Sequence, residues 1–299
     1  MSLLSLTVKL KPAPAEQAEV QTSAQHLVGT LNAKAEEALI PTPLSCRYIG
    51  SYARDTKPSP VDDVDILYVV GEAAIRENNW HIITKNTFAY AAEDYEADRN
   101  ISSLLLLNRI KKAIAETYPN SELRRNHEVV NIQLSSYKRS FDLVPAWHVP
   151  DGKYFLIPQG EQKHKWKKTN PFQDKAILDS ADQKTQGTAR PAILIMKHWF
   201  RRKKVVTPRS YHLEAIAYNI FMNLQSPSTT LFNSLAILLN NFAYKDLLAS
   251  CPDPAGLSEP LTSGLSSQDI AKIISEGKSA ARVLYQNGEA KFLEEIDEE

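Results

Sequence analysis

The spacing of apolar residues predicts that the first part of the chain mixes helices and strands. Residues from about 15 to 39 carry apolar side chains at helical intervals, and Pro41 and Pro43 follow as a stop signal. A second helix is predicted over 101–118, and residues 71–100 are expected to form an irregular insertion with a helical part. Strands are predicted where short runs are apolar or alternate with polar residues, over 44–49, 64–70, 129–134, 140–144 and 154–157.

Beyond residue 170 the apolar pattern is helical throughout. The predicted helices cover 171–187, 190–204, 209–224, 229–248 and 268–287. The acidic end, 294–299, is expected to be a solvated tail. This order predicts an α+β fold, with a mixed sheet and a long N-terminal helix over residues 1–160 and a helical lobe over 161–299.

Composition limits the partners of such a protein. Among 299 residues, 35 Lys and Arg balance 35 Asp and Glu, so the net charge is zero. Proteins that grip long nucleic acids are usually basic, and neutrality therefore favours small ligands over a long RNA or DNA. No run reaches the ~20 apolar residues of a membrane span. Basic residues follow the apolar start rather than precede it, unlike a secretory signal, so we expect a cytoplasmic protein.

Acidic residues at the start of one predicted strand are the first sign of chemistry. Side chains alternate along a strand, so Asp63 and Asp65 point to the same face, and Asp62 points to the other. Two neighbouring carboxylates repel each other unless cations compensate them. Mg²⁺ prefers oxygen ligands and is often held by one or two carboxylates together with substrate phosphates.

A third carboxylate, Asp142, lies between apolar neighbours on another predicted strand. An adjacent antiparallel strand would bring it beside Asp63 and Asp65. Three such aspartates can hold two Mg²⁺ or Mn²⁺ ions, one activating an attacking hydroxyl and one steadying a leaving pyrophosphate. Asp142 is also the candidate acceptor for the hydroxyl proton.

The dipeptide Gly50-Ser51 stands between two predicted strands, just before the aspartates. A glycine lets the backbone turn sharply and approach a phosphate closely. A short helix after it would aim its N–H groups at the anion, and the Ser51 hydroxyl would add a donor. The dipeptide is a common turn by itself, so its meaning depends on this position.

These residues resemble the GS…DxD…D pattern of the polymerase-β-type nucleotidyltransferase superfamily. More narrowly, the chain resembles the bacterial cyclic-oligonucleotide synthases related to cyclic GMP–AMP synthase and oligoadenylate synthase. Four segments carry the resemblance, namely 50–70, 140–147, 166–171 and 191–214. The resemblance implies a polymerase-β-like core followed by a helical C-terminal lobe, with the active site in the cleft between them.

The resemblance also implies roles for residues of the last segment. Lys197 would reach the triphosphate of the donor nucleotide, Ser210 would bond a phosphate oxygen, and Tyr211 would stack on the donor base. Lysine suits phosphate as a point charge, and aromatic rings stack on any base. Taken alone, Lys197 would be read as a solvated lysine and Tyr211 equally as a core residue.

The function implied is a metal-dependent nucleotidyltransferase that joins NTPs, ATP among them, into a short and cyclic oligonucleotide messenger. A downstream effector in anti-phage signalling would bind that messenger. Three alternatives stay open: an RNA-tailing or CCA-adding-type polymerase, an inactive nucleotide-binding regulator, and an enzyme that modifies drugs or proteins. The motifs do not distinguish which bases are joined or by which linkage, and a monomer is compatible with the sequence without being decided by it.

Overall fold

The computed structural model describes residues 1–41, 43–76, 79–83, 102–126, 128–135, 139–150, 152–159, 166–226, 230–242, 245–262 and 264–297. The chain divides into two compact units. The sheet unit contains residues 13–52 and 61–170, and the helical unit contains residues 1–12, 53–60 and 171–299. The predicted boundary at residue 160 places the segments 1–12 and 53–60 in the same domain as the sheet. In the structure both segments lie in the helical unit.

The helices and strands are numbered in chain order. The helices are α1 (Leu3–Leu10), α2 (Pro14–Lys34), α3 (Gly50–Ala53), α4 (Ser103–Thr117), α5 (Pro171–Lys184), α6 (Ala189–Arg202), α7 (Ser210–Met222), α8 (Leu231–Asn241), α9 (Lys245–Ala249) and α10 (Ser267–Asp297). The strands are β1 (Ser45–Ile49), β2 (Asp63–Arg76), β3 (Asn79–Ile83), β4 (Glu122–Asn126), β5 (Val129–Gln133), β6 (Ser140–Val149), β7 (Tyr154–Pro158), β8 (Trp166–Thr169), β9 (Ser250–Cys251) and β10 (Leu261–Thr262). No helix within the described ranges is long and apolar enough to cross a bilayer.

The sheet unit is built on a mixed sheet in the order β1-β2-β6-β5-β4. The central pair, β2 and β6, is parallel, and the pairs β1–β2, β5–β6 and β4–β5 are antiparallel. Strand β3 pairs with β2, while β7 pairs with both β6 and β8. The central strands are apolar on both faces, as expected of strands that are covered on both sides.

Helices α2 and α4 pack together on one face of this sheet, and α4 contacts β4, β5 and β7. The Tyr68 hydroxyl on β2 donates to Asn32 Oδ1 on α2 at 3.0 Å, which shows which face of β2 the helix covers. Helix α4 begins at a side-chain cap, where Ser102 Oγ accepts from the Leu105 amide at 3.1 Å. By strand alternation, the aspartates of β2 lie on the face opposite α2.

The helical unit encloses one large apolar core to which α1 and the helices from α5 to α10 contribute. Trp199 of α6 stacks on Phe292 of α10, with ring centroids 4.7 Å apart. Helix α10 is interrupted at Gly288, whose φ of 78° lies in the left-handed region that favours glycine. The two parts of α10 therefore follow the core in different directions.

Several predictions made from the apolar pattern are wrong in detail. Residues 294–297, expected in a solvated tail, belong to α10, and Ile296 is fully buried. The helix predicted over 229–248 is two helices, α8 and α9. Within the predicted insertion, residues 71–76 extend β2 and residues 79–83 form β3, and the remainder from 84 onward lies outside the described residues. Short polar elements such as β4 and β8 lack the apolar pattern that would have revealed them.

Candidate active site

The strand register places the aspartates of β2 and β6 side by side. Asp65 pairs with Asp142 across the central parallel pair, and Asp63 lies two residues before Asp65 on the same face. The antiparallel arrangement predicted for these strands is wrong, since β2 and β6 run parallel. The consequence expected from it holds, because paired residues of neighbouring strands point to the same side in either orientation. All three carboxylates are half-buried.

The same face of the sheet becomes apolar beyond the aspartates. Leu67 and Val69 on β2, together with Val144 and Ala146 on β6, form a small buried cluster with residues of β7. Alternation places these side chains on the aspartate side of the strands. On β2 and β6 the carboxylates therefore lie next to a buried apolar cluster, so the charge on these two strands is concentrated at one end.

Gly50 fits closely against this carboxylate face. Its φ is 66°, in the left-handed region, and a Cβ built on it would lie 1.9 Å from Asp65 Oδ2. Ile49, the residue before it, pairs with Asp65 across β1 and β2. Any side chain at position 50 would displace Asp65, so both the turn and the close approach require glycine. Ser51 follows in α3 and is buried.

Asn131 is a neighbour of the site that the sequence did not reveal. It pairs with Asp142 across β5 and β6, and its Nδ2 donates to Asp142 Oδ1 at 2.6 Å. A hydrogen bond to a carboxylate fixes its orientation. The only available signal was an amide residue at an alternating position within the apolar strand β5.

These aspartates suit a divalent cation by chemistry and by backbone position. Within the described part of the chain, no three carboxylate, imidazole or thiol groups converge closely enough to hold a metal ion. The strand register nevertheless brings three carboxylates to adjacent positions, and rotation about their side-chain bonds can bring the oxygens together. Oxygen donors of this kind are those that Mg²⁺ and Mn²⁺ prefer.

In the helical unit another carboxylate, Glu214 of α7, is fully buried and surrounded by donors. Arg54 Nε donates to it at 2.6 Å, Thr56 Oγ1 at 2.8 Å and the Tyr218 hydroxyl at 2.8 Å. Lys197 Nζ also donates to Glu214, and to the Thr56 carbonyl oxygen at 3.0 Å. We call this group of five residues the Glu214 cluster. Burial alone would raise the pKa of Glu214, but the adjacent cations hold it at about 2.

Lys197 is thus placed differently from a solvated lysine. Its side chain is buried, and burial lowers the pKa of its ammonium in spite of Glu214 beside it. Contact with a triphosphate stays a prediction for this residue, because its donors in this structure go to Glu214 and Thr56. The segment 53–60, which follows Ser51, is joined to α6 and α7 through these bonds.

Tyr211 and Ser210 occupy the first turn of α7. The Tyr211 hydroxyl donates to Asp174 Oδ1 at 2.9 Å and lies 3.2 Å from Asp253 Oδ1. The Arg54 guanidinium carbon lies 5.5 Å from the Tyr211 ring centroid, within cation–π distance. Ser210 is exposed at the N-terminal end of the helix, where the helix dipole favours an anion.

The predicted site residues therefore fall into two groups. Gly50, Ser51 and the three aspartates all lie in the sheet unit. Three others, Lys197, Ser210 and Tyr211, lie on α6 and α7 of the helical unit. Each group is assembled from segments distant in sequence. Residues of the second group contact Arg54, Asp174 and Glu214, for which the sequence had suggested no role.

Comparison with known proteins gives two matches in sequence. The family model described as the Second Messenger Oligonucleotide or Dinucleotide Synthetase domain matches residues 88–181, a segment that includes Asp142. A probable cyclic nucleotide synthase of Bacillus cereus is 31% identical over 186 residues, covering 58% of this chain and 55% of that protein. The alignment thus spans about half the length of that curated relative.

Solved structures share the fold at low sequence identity. The TM-score is 0.74 against Escherichia coli DncV in its 3′-deoxy GTP bound form, at 13% identity over 98% of this chain and 92% of that one. It is 0.72 against Vibrio cholerae DncV in complex with the linear intermediate 5′ pppA(3′,5′)pG, at 13% identity over 98% and 92%. It is 0.68 against CdnC in the CdnC:HORMA-deltaN complex from E. coli MS115-1, at 11% identity over 98% and 95%. The predicted fold class, a mixed sheet flanked by helices with a helical C-terminal part, is confirmed.

Proposed function

We propose that the chain is a bacterial nucleotidyltransferase similar to cyclic GMP–AMP synthase and DncV, and that it joins NTPs into a short cyclic oligonucleotide. The observation that carries this proposal is the pairing of Asp65 with Asp142 across parallel strands, with Asp63 on the same face. The close fit of Gly50 against Asp65 supports it, since a backbone that approaches a carboxylate so closely can also bring a phosphate to it.

In this proposal Asp63, Asp65 and Asp142 hold Mg²⁺ or Mn²⁺. Bound there, the ions would supply Lewis-acid activation of the attacking hydroxyl and stabilise the leaving pyrophosphate. The Asp142 carboxylate accepts the hydroxyl proton, and the amide of Asn131 keeps it oriented. Gly50 and Ser51 receive the triphosphate of the donor nucleotide through the backbone at the start of α3.

On the helical unit, Tyr211 provides the surface on which the donor base stacks, and Ser210 donates to a phosphate oxygen. Lys197 supplies a positive charge for the triphosphate. To do so, its ammonium group gives up part of its hydrogen bonding to Glu214. Stacking is tolerant of base identity, which fits an enzyme that accepts more than one NTP. The product would act as a messenger in defence against phage, where an effector protein binds it.

Product analysis tests the proposal directly. The purified protein is incubated with all pairs of NTPs and with Mg²⁺ or Mn²⁺ at neutral and raised pH, and the products are identified by mass spectrometry. We expect an oligonucleotide to form without added RNA and its formation to persist after the protein preparation has been treated with nuclease, with Asp65→Asn as the inactive control. Failure to form it under all these conditions, together with efficient addition to the 3′ end of a supplied RNA, would contradict the proposal in favour of an RNA-tailing enzyme.

Binding offers a second test that needs no turnover. Metal ions complete their coordination with phosphate oxygens, so metal and nucleotide should stabilise the protein cooperatively. We expect Mg²⁺ with ATP to raise the Tm by more than the sum of the separate shifts. Additive shifts over a grid of concentrations would contradict a shared site.

A further inference from the structure

The hydroxyl of Tyr211 is held between two carboxylates from different segments. Asp174 lies on α5, and Asp253 lies in the loop after β9. Their Oδ1 atoms are 2.9 Å and 3.2 Å from the hydroxyl oxygen. A phenol has one proton to donate, so a second carboxylate at this distance exceeds what the hydroxyl needs as a partner.

Both carboxylates are themselves fixed in place. The backbone amides of Ala255, Leu257 and Ser258 donate to Asp253, as does the Ser258 hydroxyl, at 2.9–3.3 Å. Asp174 is only 6% exposed. The oxygen atoms that hold Tyr211 therefore belong to ordered groups and not to mobile surface side chains.

Burying a carboxyl group beside Tyr211 is unfavourable, and a tyrosine that served only as a packing residue would not need it. Burial raises the pKa of Asp174 to about 6, which shows that its ionised form is disfavoured in the fold. Phenylalanine at 211 with an apolar residue at 174 would avoid burying this carboxyl group. A tyrosine serving as core alone would not require Asp174, so the interpretation of Tyr211 as a simple core residue explains less of the structure.

The ring is restrained at its face as well as at its hydroxyl. The Arg54 guanidinium, only 4% exposed and bound to Glu214, lies 5.5 Å from the ring centroid. Tyr211 itself is half-buried, so part of the residue reaches solvent, whereas Arg54 does not. The ring therefore lies against a fixed cation and belongs to a residue that stays partly accessible.

We propose that Asp174 and Asp253 are positioning residues that fix the Tyr211 ring as a rigid platform for the nucleobase. The proposal rests on the proposed function, in which Tyr211 stacks on the donor base. Immobilising a side chain on binding costs about 0.5–1.5 kcal/mol, or roughly 2- to 13-fold in affinity, and a ring fixed beforehand avoids that loss. The two aspartates thus contribute to nucleotide affinity without touching the nucleotide.

The test measures nucleotide binding in the absence of turnover. Dissociation constants are determined for the α,β-methylene analogues of ATP, GTP, CTP and UTP with wild type, Tyr211→Ala, Tyr211→Phe, Asp174→Asn and the double variant Tyr211→Phe/Asp174→Asn. We expect Tyr211→Ala to weaken binding by roughly 5- to 150-fold, the range for a lost base–aromatic stack. Tyr211→Phe and Asp174→Asn should each weaken it by roughly 2- to 13-fold.

The double variant separates positioning from general structural damage. If Asp174 acts through the hydroxyl, Asp174→Asn should add nothing to Tyr211→Phe, and in turnover the single changes should raise KM and leave kcat nearly constant. Tyr118→Phe, which removes a hydroxyl that contacts His26 and Thr30 in the sheet unit, is the matched control and should not change binding. Additive losses, or wild-type affinity in Tyr211→Phe, would overturn the proposal.

Failure of the proposed function has a different outcome. If wild type binds none of the four analogues, the nucleotide site itself is wrong. If wild type binds and Tyr211→Ala weakens binding while Tyr211→Phe and Asp174→Asn do not, base stacking stands and only the positioning role fails.

Discussion

Asp65 of the sheet unit and Glu214 of the helical unit carry the same functional group among different neighbours. Glu214 is fully buried and accepts from four donors, among them Arg54 and Lys197. Asp65 is half-buried, and the strand paired with it presents another carboxylate, Asp142, at the same level. Strands lie about 4.8 Å apart, and like charges at ~5 Å repel by about 3 kcal/mol at an effective dielectric constant of 20.

From this difference we expect the two carboxylates to have different roles. Glu214 receives its compensation from the chain, so it contributes to holding segments 53–60, α6 and α7 together. The side-by-side aspartates repel each other, and a cation bound between them would reduce that repulsion. Stability is therefore expected to depend on Glu214, and catalysis on the aspartates.

The largest expected effect is on catalysis. Asp65→Asn removes one charge from the aspartate pair and should lower kcat/KM by about 10²- to 10⁴-fold, since metal-ion catalysis contributes several kcal/mol. Its melting temperature should equal or slightly exceed that of wild type, because repulsion is relieved. The matched control is Asp62→Asn, an exposed neighbour, which should keep wild-type turnover. Wild-type turnover in Asp65→Asn would show that this aspartate is not part of the metal site.

The next effect is on stability and concerns Glu214. Glu214→Gln leaves two buried cations without their carboxylate and should lower the free energy of unfolding by about 3–5 kcal/mol. Urea unfolding followed by circular dichroism measures this change. Glu294→Gln removes the partner of Lys291 in an exposed pair and should change stability by less than about 1 kcal/mol. Equal effects of the two substitutions would show that the Glu214 cluster does not stabilise the fold.

An effect of intermediate size concerns Asp174, whose contribution to the free energy of unfolding depends on pH. Burial raises its pKa from 3.8 to about 6, so the folded protein holds the proton more tightly than the unfolded chain does. Its contribution to stability is therefore lost as pH rises from about 4 to about 6. Asp174→Asn should be more stable than wild type by about 1–3 kcal/mol at pH 7.5 and lose this advantage at pH 4. A difference independent of pH would contradict the raised pKa.

The smallest expected change in stability separates the close approach of Gly50 to Asp65 from backbone strain. Gly50→Ala and Gly187→Ala each place a side chain on a left-handed backbone, with φ of 66° and 82°, which costs about 1–2 kcal/mol. Only the Cβ at position 50 would also collide with Asp65, while nothing lies within 4 Å of the one at 187. Both variants should be destabilised, but only Gly50→Ala should also lose nucleotidyl transfer. Loss of activity in Gly187→Ala as well would point to strain alone.

The sheet and the carboxylate face could be anticipated because their signals are local. Alternation along β2 places Asp63 and Asp65 on one face whatever strand lies beside it. The parallel direction of β6 could not be anticipated, since direction depends on how the intervening chain crosses over. Strand β4 was missed because its Arg- and Glu-rich sequence lacks an apolar period.

The Glu214 cluster could not be predicted from the sequence for another reason. Its members are ordinary charged residues separated by up to 160 positions, and no spacing rule joins Arg54 to α7. The burial of Lys197 was likewise hidden, because a lysine on an apolar helix is usually read as pointing to solvent. The last turns of α10 were assigned to a solvated tail because acidic residues outnumber the apolar ones that are in fact buried.

The membership of segment 53–60 in the helical unit has a consequence for the order of events as the chain leaves the ribosome. Arg54 and Thr56 emerge early, yet the carboxylate that binds them is 160 and 158 residues away. Every residue of the sheet unit has been synthesised before that carboxylate appears. Contacts over such separations form slowly, because a long loop must close first. The nascent chain can thus complete its sheet before Arg54 and Thr56 have formed their contacts with Glu214 of α7.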